Sequence, residues 1–226
     1  MQAVEATIGA ATEAAGRPRS SVQLLAVSKT FPMEAVLEAI ATGQRAFGEN
    51  YLQEGVEKIA AVARAQPDTA VEWHFIGPIQ SNKTRPIATH FAWVHTVERL
   101  KIAQRLSEQR PPELGPLNIC LQVNISGEAT KSGATPAELP ELARQVAALP
   151  NLRLRGLMAI PEAHSDPALQ RAAFARLRVL ADALRADGLA IDTLSMGMSG
   201  DMAAAIAEGA TIVRVGSAIF GARHYD

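Results

Sequence analysis

The sequence is short of several things that would point to a specialised environment. It holds one cysteine, Cys120, so no disulfide can close within the chain, and a reducing compartment is expected. Neither sign of charge prevails. The 22 basic residues face 23 acidic ones, which leaves no electrostatic case for nucleic acid or an anionic membrane surface. No apolar run approaches the roughly 20 residues that span a bilayer. The opening MQAVEATIGAATEAAG lacks the basic start and apolar middle of a signal peptide, and reads as an amphipathic helix. Among the histidines, His90, His95, His164 and His224 show no metal-ligand spacing. A cytoplasmic protein without membrane, nucleic-acid or metal partners is the expectation.

What the chain does have is alternation. Short β-branched apolar runs take turns with longer stretches of helical period. Strands are predicted at 22–28, 45–49, 72–77, 93–97, 117–124, 152–160, 193–198 and 212–217. Helices fit between them, at 33–43 (ending on Gly43, a plausible C-cap), 51–65, 97–110, 136–150, 167–188 and 199–209. The connection 81–90 is interrupted by Pro86 and predicts only a weak helix. The Pro-rich stretch 109–116 reads as a loop. Eight strands with a helix in almost every gap predict a parallel, helix-covered sheet. Closure into a (β/α)₈ barrel, a TIM barrel, accommodates eight strands without exposed edges, and 226 residues fit one such domain over 1–226 with an extra N-terminal helix. A doubly wound open sheet is the rival that periodicity leaves open.

In a barrel of this kind the active site lies at the C-terminal ends of the strands. The polar residues there are Ser28, Lys29 and Thr30 after the first strand, and Glu49 and Asn50 after the second. Gln80 to Lys83 follow the third, Asn124 the fifth, Ser195 to Ser199 the seventh, and Arg214, Gly216 and Ser217 the eighth. Lys29 is the strongest chemical candidate. Alternation groups it with Leu25 and Val27, so its amine would enter the barrel mouth among apolar neighbours, where desolvation favours the neutral nucleophilic form. A lysine that merely begins a loop in solvent is the plain alternative. Ser199-Gly200 and Gly216-Ser217 each precede a short helix, offering hydroxyls and backbone N–H groups to a phosphate, in the loops where barrels commonly bind one. Arg214 shares the strand face of Gly216. It would either face a ligand as a donor that cannot give up its proton, or pair with a carboxylate lower in the barrel.

Other residues invite plainer readings. His74 is expected as a hydrogen-bonded core histidine and Cys120 as a buried apolar residue. Met158, Met196 and Met198 are expected to pack, with Met158 close enough to a strand end to touch a cofactor ring. Glu49 and Glu54 show no partner acid, which leaves a two-carboxylate hydrolase unsupported.

Seven ordered blocks resemble one family over almost the whole chain: LLAVSKTFP, FGENYLQE, WHFIGPIQSNK, VHTVERLKIAQRL, QVNISGEATKSG, GLMAIP and LSMGMSGDMAAAIAEGATIVRVGSAIFGARHY. They are similar to the YggS/PROSC family of pyridoxal 5′-phosphate (PLP) homeostasis proteins. The resemblance implies an alanine racemase N-terminal-like barrel (PLP fold type III) without that enzyme's second domain. It implies PLP held as a Schiff base on Lys29, phosphate contacts from Ser199, Gly216 and Ser217, Arg214 beside the pyridine nitrogen, and Asn50, Met158 and Ser195 lining the cofactor. It further implies a role in vitamin B6 and amino-acid balance without established turnover, PLP-dependent apo-enzymes as partners, and a monomer. Where the family usually has His-Leu, Pro78-Ile79 follow Gly77, which puts in doubt any role for a side chain at 78. A racemase-like enzyme is the alternative. It needs a second base opposite the lysine, and Tyr51 and Tyr225 are the chain's two tyrosines. A class I aldolase would explain the lysine and the anion site but not the seven blocks.

Overall fold

The computed structural model describes residues 1–128 and 130–222. Helix α1 (Gln2–Ala14) comes first, followed by β1 (Gln23–Val27), α2 (Met33–Ala41), β2 (Ala46–Glu49), α3 (Leu52–Ala65), β3 (Glu72–Phe75), α4 (Thr84–His90), β4 (Trp93–Val97) and α5 (Leu100–Gln109). The second half holds β5 (Leu117–Gln122), α6 (Leu139–Ala147), β6 (Leu152–Met158), α7 (Pro167–Ala186), β7 (Thr193–Ser195), α8 (Met202–Ala207), β8 (Ile212–Val215) and α9 (Ser217–Phe220). The eight strands form a closed barrel in sequence order. Parallel pairing of β1 with β8, Leu25 opposite Arg214, shuts it. The open-sheet rival is thereby excluded.

Alternation along the strands separates two apolar layers. Outward residues such as Phe47, Phe75, Val94 and Val213 join the inner faces of the helices in the larger core. Inward residues Leu25, Val27, Ala46, Ile76, Trp93, Cys120, Met158 and Ile212 fill the barrel. Each large aliphatic or aromatic side chain so buried contributes about 1.5–3 kcal/mol. Cys120 is fully buried, as expected, and its thiol is pushed up to about 12 by burial. The N-terminal helix lies against α8, where Arg17 donates to the carbonyls of Ile206 (2.7 Å) and Ala210 (2.8 Å).

Two expectations need adjusting. The segment 81–90 is a 3₁₀ turn, Ser81–Lys83, running straight into α4. Pro86 is the third residue of that helix, where a missing N–H removes no intrahelical bond. The seventh strand ends at Ser195 rather than 198, because Gly197 turns the chain at φ +98°. A Cβ at Gly197 would stand 2.6 Å from that of Ala205, so glycine also lets α8 approach the strand. Elsewhere α7 starts where Asp166 accepts a bond from the Ala168 N–H (2.8 Å), an N-cap ahead of Pro167.

Candidate functional site

Lys29 sits one residue beyond the fully buried Ser28, and both of its neighbours are tied down. Ser28 Oγ donates to Glu49 Oε1 at 2.5 Å, and the Thr30 N–H donates to Glu54 Oε1 at 2.6 Å. Lys58 Nζ joins these anchors, donating to the Ser28 carbonyl (2.8 Å), to Glu49 Oε1 (2.7 Å) and to Glu54 Oε1 (2.9 Å). Thr30 holds a positive φ of 67°, which a threonine adopts only where its surroundings impose it. Burial pushes the Glu49 carboxyl above its ordinary value, against the pull of Lys58 and Ser28. Glu49 and Glu54 thus share a lysine rather than acting as an isolated acid pair. Lys58 escaped the reading of the sequence. Its signal was there: Gly55, Lys58 and Val62 form the buried stripe of α3, and a lysine on such a stripe needs a buried partner.

Beyond these anchors opens a cavity of about 250 Å³ at the C-terminal mouth of the barrel. Six residues predicted as a site line it together: Lys29, Asn50, Ser199, Arg214, Gly216 and Ser217. Val27, Ile76 and Ile160 supply apolar wall, and Gly200 completes the loop after β7. Met198 also lines the cavity and is 41% exposed, so it does not pack in the core as expected. Met158 and Ser195 are not in the lining; both are fully buried below it in the barrel. The backbone accommodates the cavity closely. A Cβ at Gly216 would meet the Val27 carbonyl at 3.2 Å, and one at Gly77 would stand 2.0 Å from the Asn50 carbonyl oxygen. Gly77 therefore decides where Asn50 sits, and Asn50 Oδ1 is buried without a hydrogen-bond partner among the described residues. An adjoining cavity of about 250 Å³ shares Asn50, Ile76 and Ile160 and is bordered by Pro78 and Glu98. Together the two fall within the roughly 300–1,000 Å³ of small-molecule sites.

Arg214 reaches the cavity from inside the barrel. Its Nη1 donates to Ser195 Oγ (2.8 Å) and its Nη2 to the Ala159 carbonyl (3.1 Å). Its partners are a hydroxyl and a carbonyl, not a carboxylate lower in the barrel. Burial lowers the guanidinium to about 10, so it stays cationic at neutral pH. Ser195 Oγ also meets His95 Nδ1 (2.7 Å), His95 Nε2 meets His74 Nδ1 (2.8 Å), and His74 Nε2 meets Glu72 Oε1 (2.9 Å). His74 is the hydrogen-bonded core histidine expected; His95 proves to be its partner. Burial lowers the pKa of both imidazoles, and the bond from His74 holds Glu72 down at about 2.

Two other sequence candidates lie outside this cavity. Asn124 turns into its own loop, where Nδ2 donates to the Glu128 carbonyl (2.7 Å). Tyr51 precedes α3 and is 54% exposed, away from the cavity lining. His224 and Tyr225 lie outside the described residues. No group of His, Cys, Asp and Glu able to hold a metal occurs among the described residues, and none of their helices is long and apolar enough to cross a membrane.

The family model of the alanine racemase N-terminal domain matches residues 1–224. The pyridoxal phosphate homeostasis protein of Pseudomonas aeruginosa is 65% identical over 222 residues, covering 98% of this chain and 94% of that protein. The chain belongs to the family of pyridoxal phosphate homeostasis proteins. A solved member of similar shape is PipY of Synechococcus elongatus with PLP bound. It is 38% identical with a TM-score of 0.82, over 95% of this chain and 100% of that one. Alanine racemase of Clostridium difficile, at 15% identity and a TM-score of 0.71, shares the fold over 98% of this chain and 56% of its own.

Proposed function

We propose that the chain binds pyridoxal 5′-phosphate covalently on Lys29 and serves vitamin B6 homeostasis in the cytoplasm, keeping the reactive aldehyde bound and yielding it to PLP-dependent apo-enzymes. The observation that carries this reading is the meeting, in one cavity, of an amine, a two-loop anion site and a donor-only guanidinium. The donor set fits a phosphorylated aromatic aldehyde. Lys29 supplies the amine. Ser199, Gly216 and Ser217 supply hydroxyls and first-turn N–H groups for three phosphate oxygens. Val27, Ile76 and Ile160 supply flat apolar wall for a ring. A known relative of the same fold has been solved with PLP bound. Lys29 would hold the cofactor through its amine, and the cofactor would supply an aldehyde carbon for that covalent link, with water as the leaving group. The chain's own residues orient the phosphate, keep the amine at the mouth and hold Arg214 as a hydrogen-bond donor. Because arginine does not give up its proton at neutral pH, it leaves a ring nitrogen unprotonated, which suits holding better than electron withdrawal. Met158 and Ser195 act from below the cavity, Ser195 through Arg214.

Protein reconstituted with PLP should show a near-visible absorption band. Borohydride should fix the label on a single peptide containing Lys29, and Lys29→Ala should lose it. A protein that stays colourless, or labels elsewhere with Lys29 intact, would refute the assignment. Delivery is tested by mixing loaded protein with a PLP-dependent apo-enzyme: activation no faster than from the same concentration of free PLP removes the delivery role.

A further inference from the structure

The five residues Glu72, His74, His95, Ser195 and Arg214 form a continuous line of hydrogen bonds through the barrel, with links of 2.9, 2.8, 2.7 and 2.8 Å. The line begins at Glu72, the first residue of β3, whose side chain is 41% exposed, and ends at the cavity wall. Glu72 and His74 stand two apart on one strand and so share its inward face. His95 is on the neighbouring β4, and the link to Ser195 crosses the barrel to β7. Trp93 stacks on His74 with centroids 5.3 Å apart and planes 6° apart, which holds that ring in place.

The ends of the line dictate its direction. Arginine has only donors, so Ser195 Oγ accepts from Arg214. An ionised carboxylate has only acceptors, so the proton between His74 and Glu72 belongs to His74 Nε2. A neutral imidazole donates from one nitrogen and accepts at the other. His74 Nδ1 must then accept, which makes His95 Nε2 the donor and His95 Nδ1 the acceptor of the Ser195 hydroxyl proton. Every link is satisfied with both histidines neutral and protonated on Nε2. The reverse order would set a bare His74 nitrogen against the carboxylate. The depressed basicity of both buried rings fits the neutral assignment.

We propose that Glu72, from the end of the barrel opposite the cofactor cavity, positions Arg214 as a fixed donor in that cavity through a one-way chain of His74, His95 and Ser195. Glu72, His74, His95 and Ser195 are positioning residues outside the cavity lining, and Arg214 is the member of the line that reaches it. The proposal rests on the reading that PLP occupies the cavity, but the chain itself exists without it, and the test separates the two. In cofactor-free protein, ¹⁵N imidazole shifts should place the proton of both His74 and His95 on Nε2. Glu72→Gln offers an amide that can donate as well as accept. It should populate the reversed tautomers and move the Arg214 guanidinium resonances at the far end. Glu72 is partly exposed at a strand start, so the variant keeps its core. Gln23→Ala, which removes a neighbouring donor to Glu72 (3.1 Å) and leaves the carboxylate, should behave as wild type. On loading with PLP, Glu72→Gln and Ser195→Ala should both shift the absorption maximum and weaken PLP binding about 3- to 10-fold, the scale of one hydrogen bond's net worth.

Nδ1 protonation of either histidine in the wild type, or Arg214 resonances unmoved by Glu72→Gln, would overturn the chain. So would PLP that binds both variants with the wild-type spectrum and affinity. If wild-type protein fails to take PLP, the functional reading fails, and the tautomers and the Arg214 resonances still decide the chain.

Discussion

Replacing Lys58 by methionine isolates what holds the Lys29 loop. The Lys58 side chain is 5% exposed, and its amine makes three bonds, to the Ser28 carbonyl and to the carboxylates of Glu49 and Glu54. Methionine fills similar volume but abandons Glu49, whose side chain is wholly buried, as an uncompensated charge. Breaking a buried pair from one side costs about 3–5 kcal/mol, a fifth or more of the roughly 5–15 kcal/mol that stabilises a typical domain. The pH dependence follows from the same carboxyl. Its folded pKa is already raised above the ordinary 4.5 by burial, and losing Lys58 raises it further. A raised carboxyl pKa is a stability contribution present below the unfolded value and lost as pH rises through the folded one. The Lys58→Met deficit should therefore be smaller at pH 5 than at pH 7.5, changing by up to about 1.4 kcal/mol per pH unit in the window where the variant's Glu49 titrates. Adding Glu49→Gln should restore most of the loss. Urea unfolding of the two singles and the double at both pH values gives the full cycle. A deficit under about 1 kcal/mol, the worth of an exposed pair, would refute the reasoning, as would one that ignores pH or survives Glu49→Gln.

Other perturbations follow from single features. Gly77→Ala forces a methyl to within 2.0 Å of the Asn50 carbonyl, so the backbone must move; a loss of about 1–3 kcal/mol by urea titration and weaker PLP binding are expected, and a neutral variant would contradict the close approach. His74 and His95 are held neutral with folded pKa values below their unfolded 6.5, so their contribution is complete above that value and lost as pH falls below it. Stability should decline by about 1.4 kcal/mol per pH unit for each histidine from near pH 6.5 downward, and a flat profile between pH 7 and 5 would exclude buried neutral rings. Cys120, buried and pushed up to about 12, should react with a thiol reagent only as fast as the protein unfolds; immediate labelling of folded protein would contradict its burial.

The parts of this molecule that were legible in sequence are those fixed by local rules. Buried parallel strands write themselves as short apolar runs, and all eight overlap the stretches predicted for them. Their ends were less legible, because Gly197 ends β7 by a turn that leaves the apolar run 196–198 uninterrupted. Lys29, Ser199, Gly216 and Ser217 were legible because strand ends and helix starts carry their meaning with them. Arg214 was half legible: its face was readable, its partners were not. The link between His95 and Ser195 joins residues 100 apart in sequence, on strands that face each other only after closure. No spacing rule encodes that pairing, so each histidine read alone looked like core or like nothing. Lys58 was hidden for a different reason, since a lysine on a helix is read as surface until its stripe is known.

The two polar networks divide the cavity between them. One fixes the backbone on either side of Lys29 through Lys58, Glu49 and Glu54; the other fixes Arg214 through Ser195, His95, His74 and Glu72. They share no residue. Sites without shared partners add within about 0.3–0.5 kcal/mol, whereas coupled ones deviate by about 0.5–3. In protein without PLP, the stability losses of Lys58→Met and Glu72→Gln should therefore sum in the double variant. If PLP spans Lys29 and Arg214 as proposed, one rigid ligand engages both ends of the cavity, and loosening either end reduces what the other gains from holding it. The effects of the two variants on PLP affinity should then fall short of additive even though their effects on stability are additive. Titration of PLP into the wild type, both singles and the double checks this. Strict additivity in affinity would mean that the two networks do not hold the same ligand.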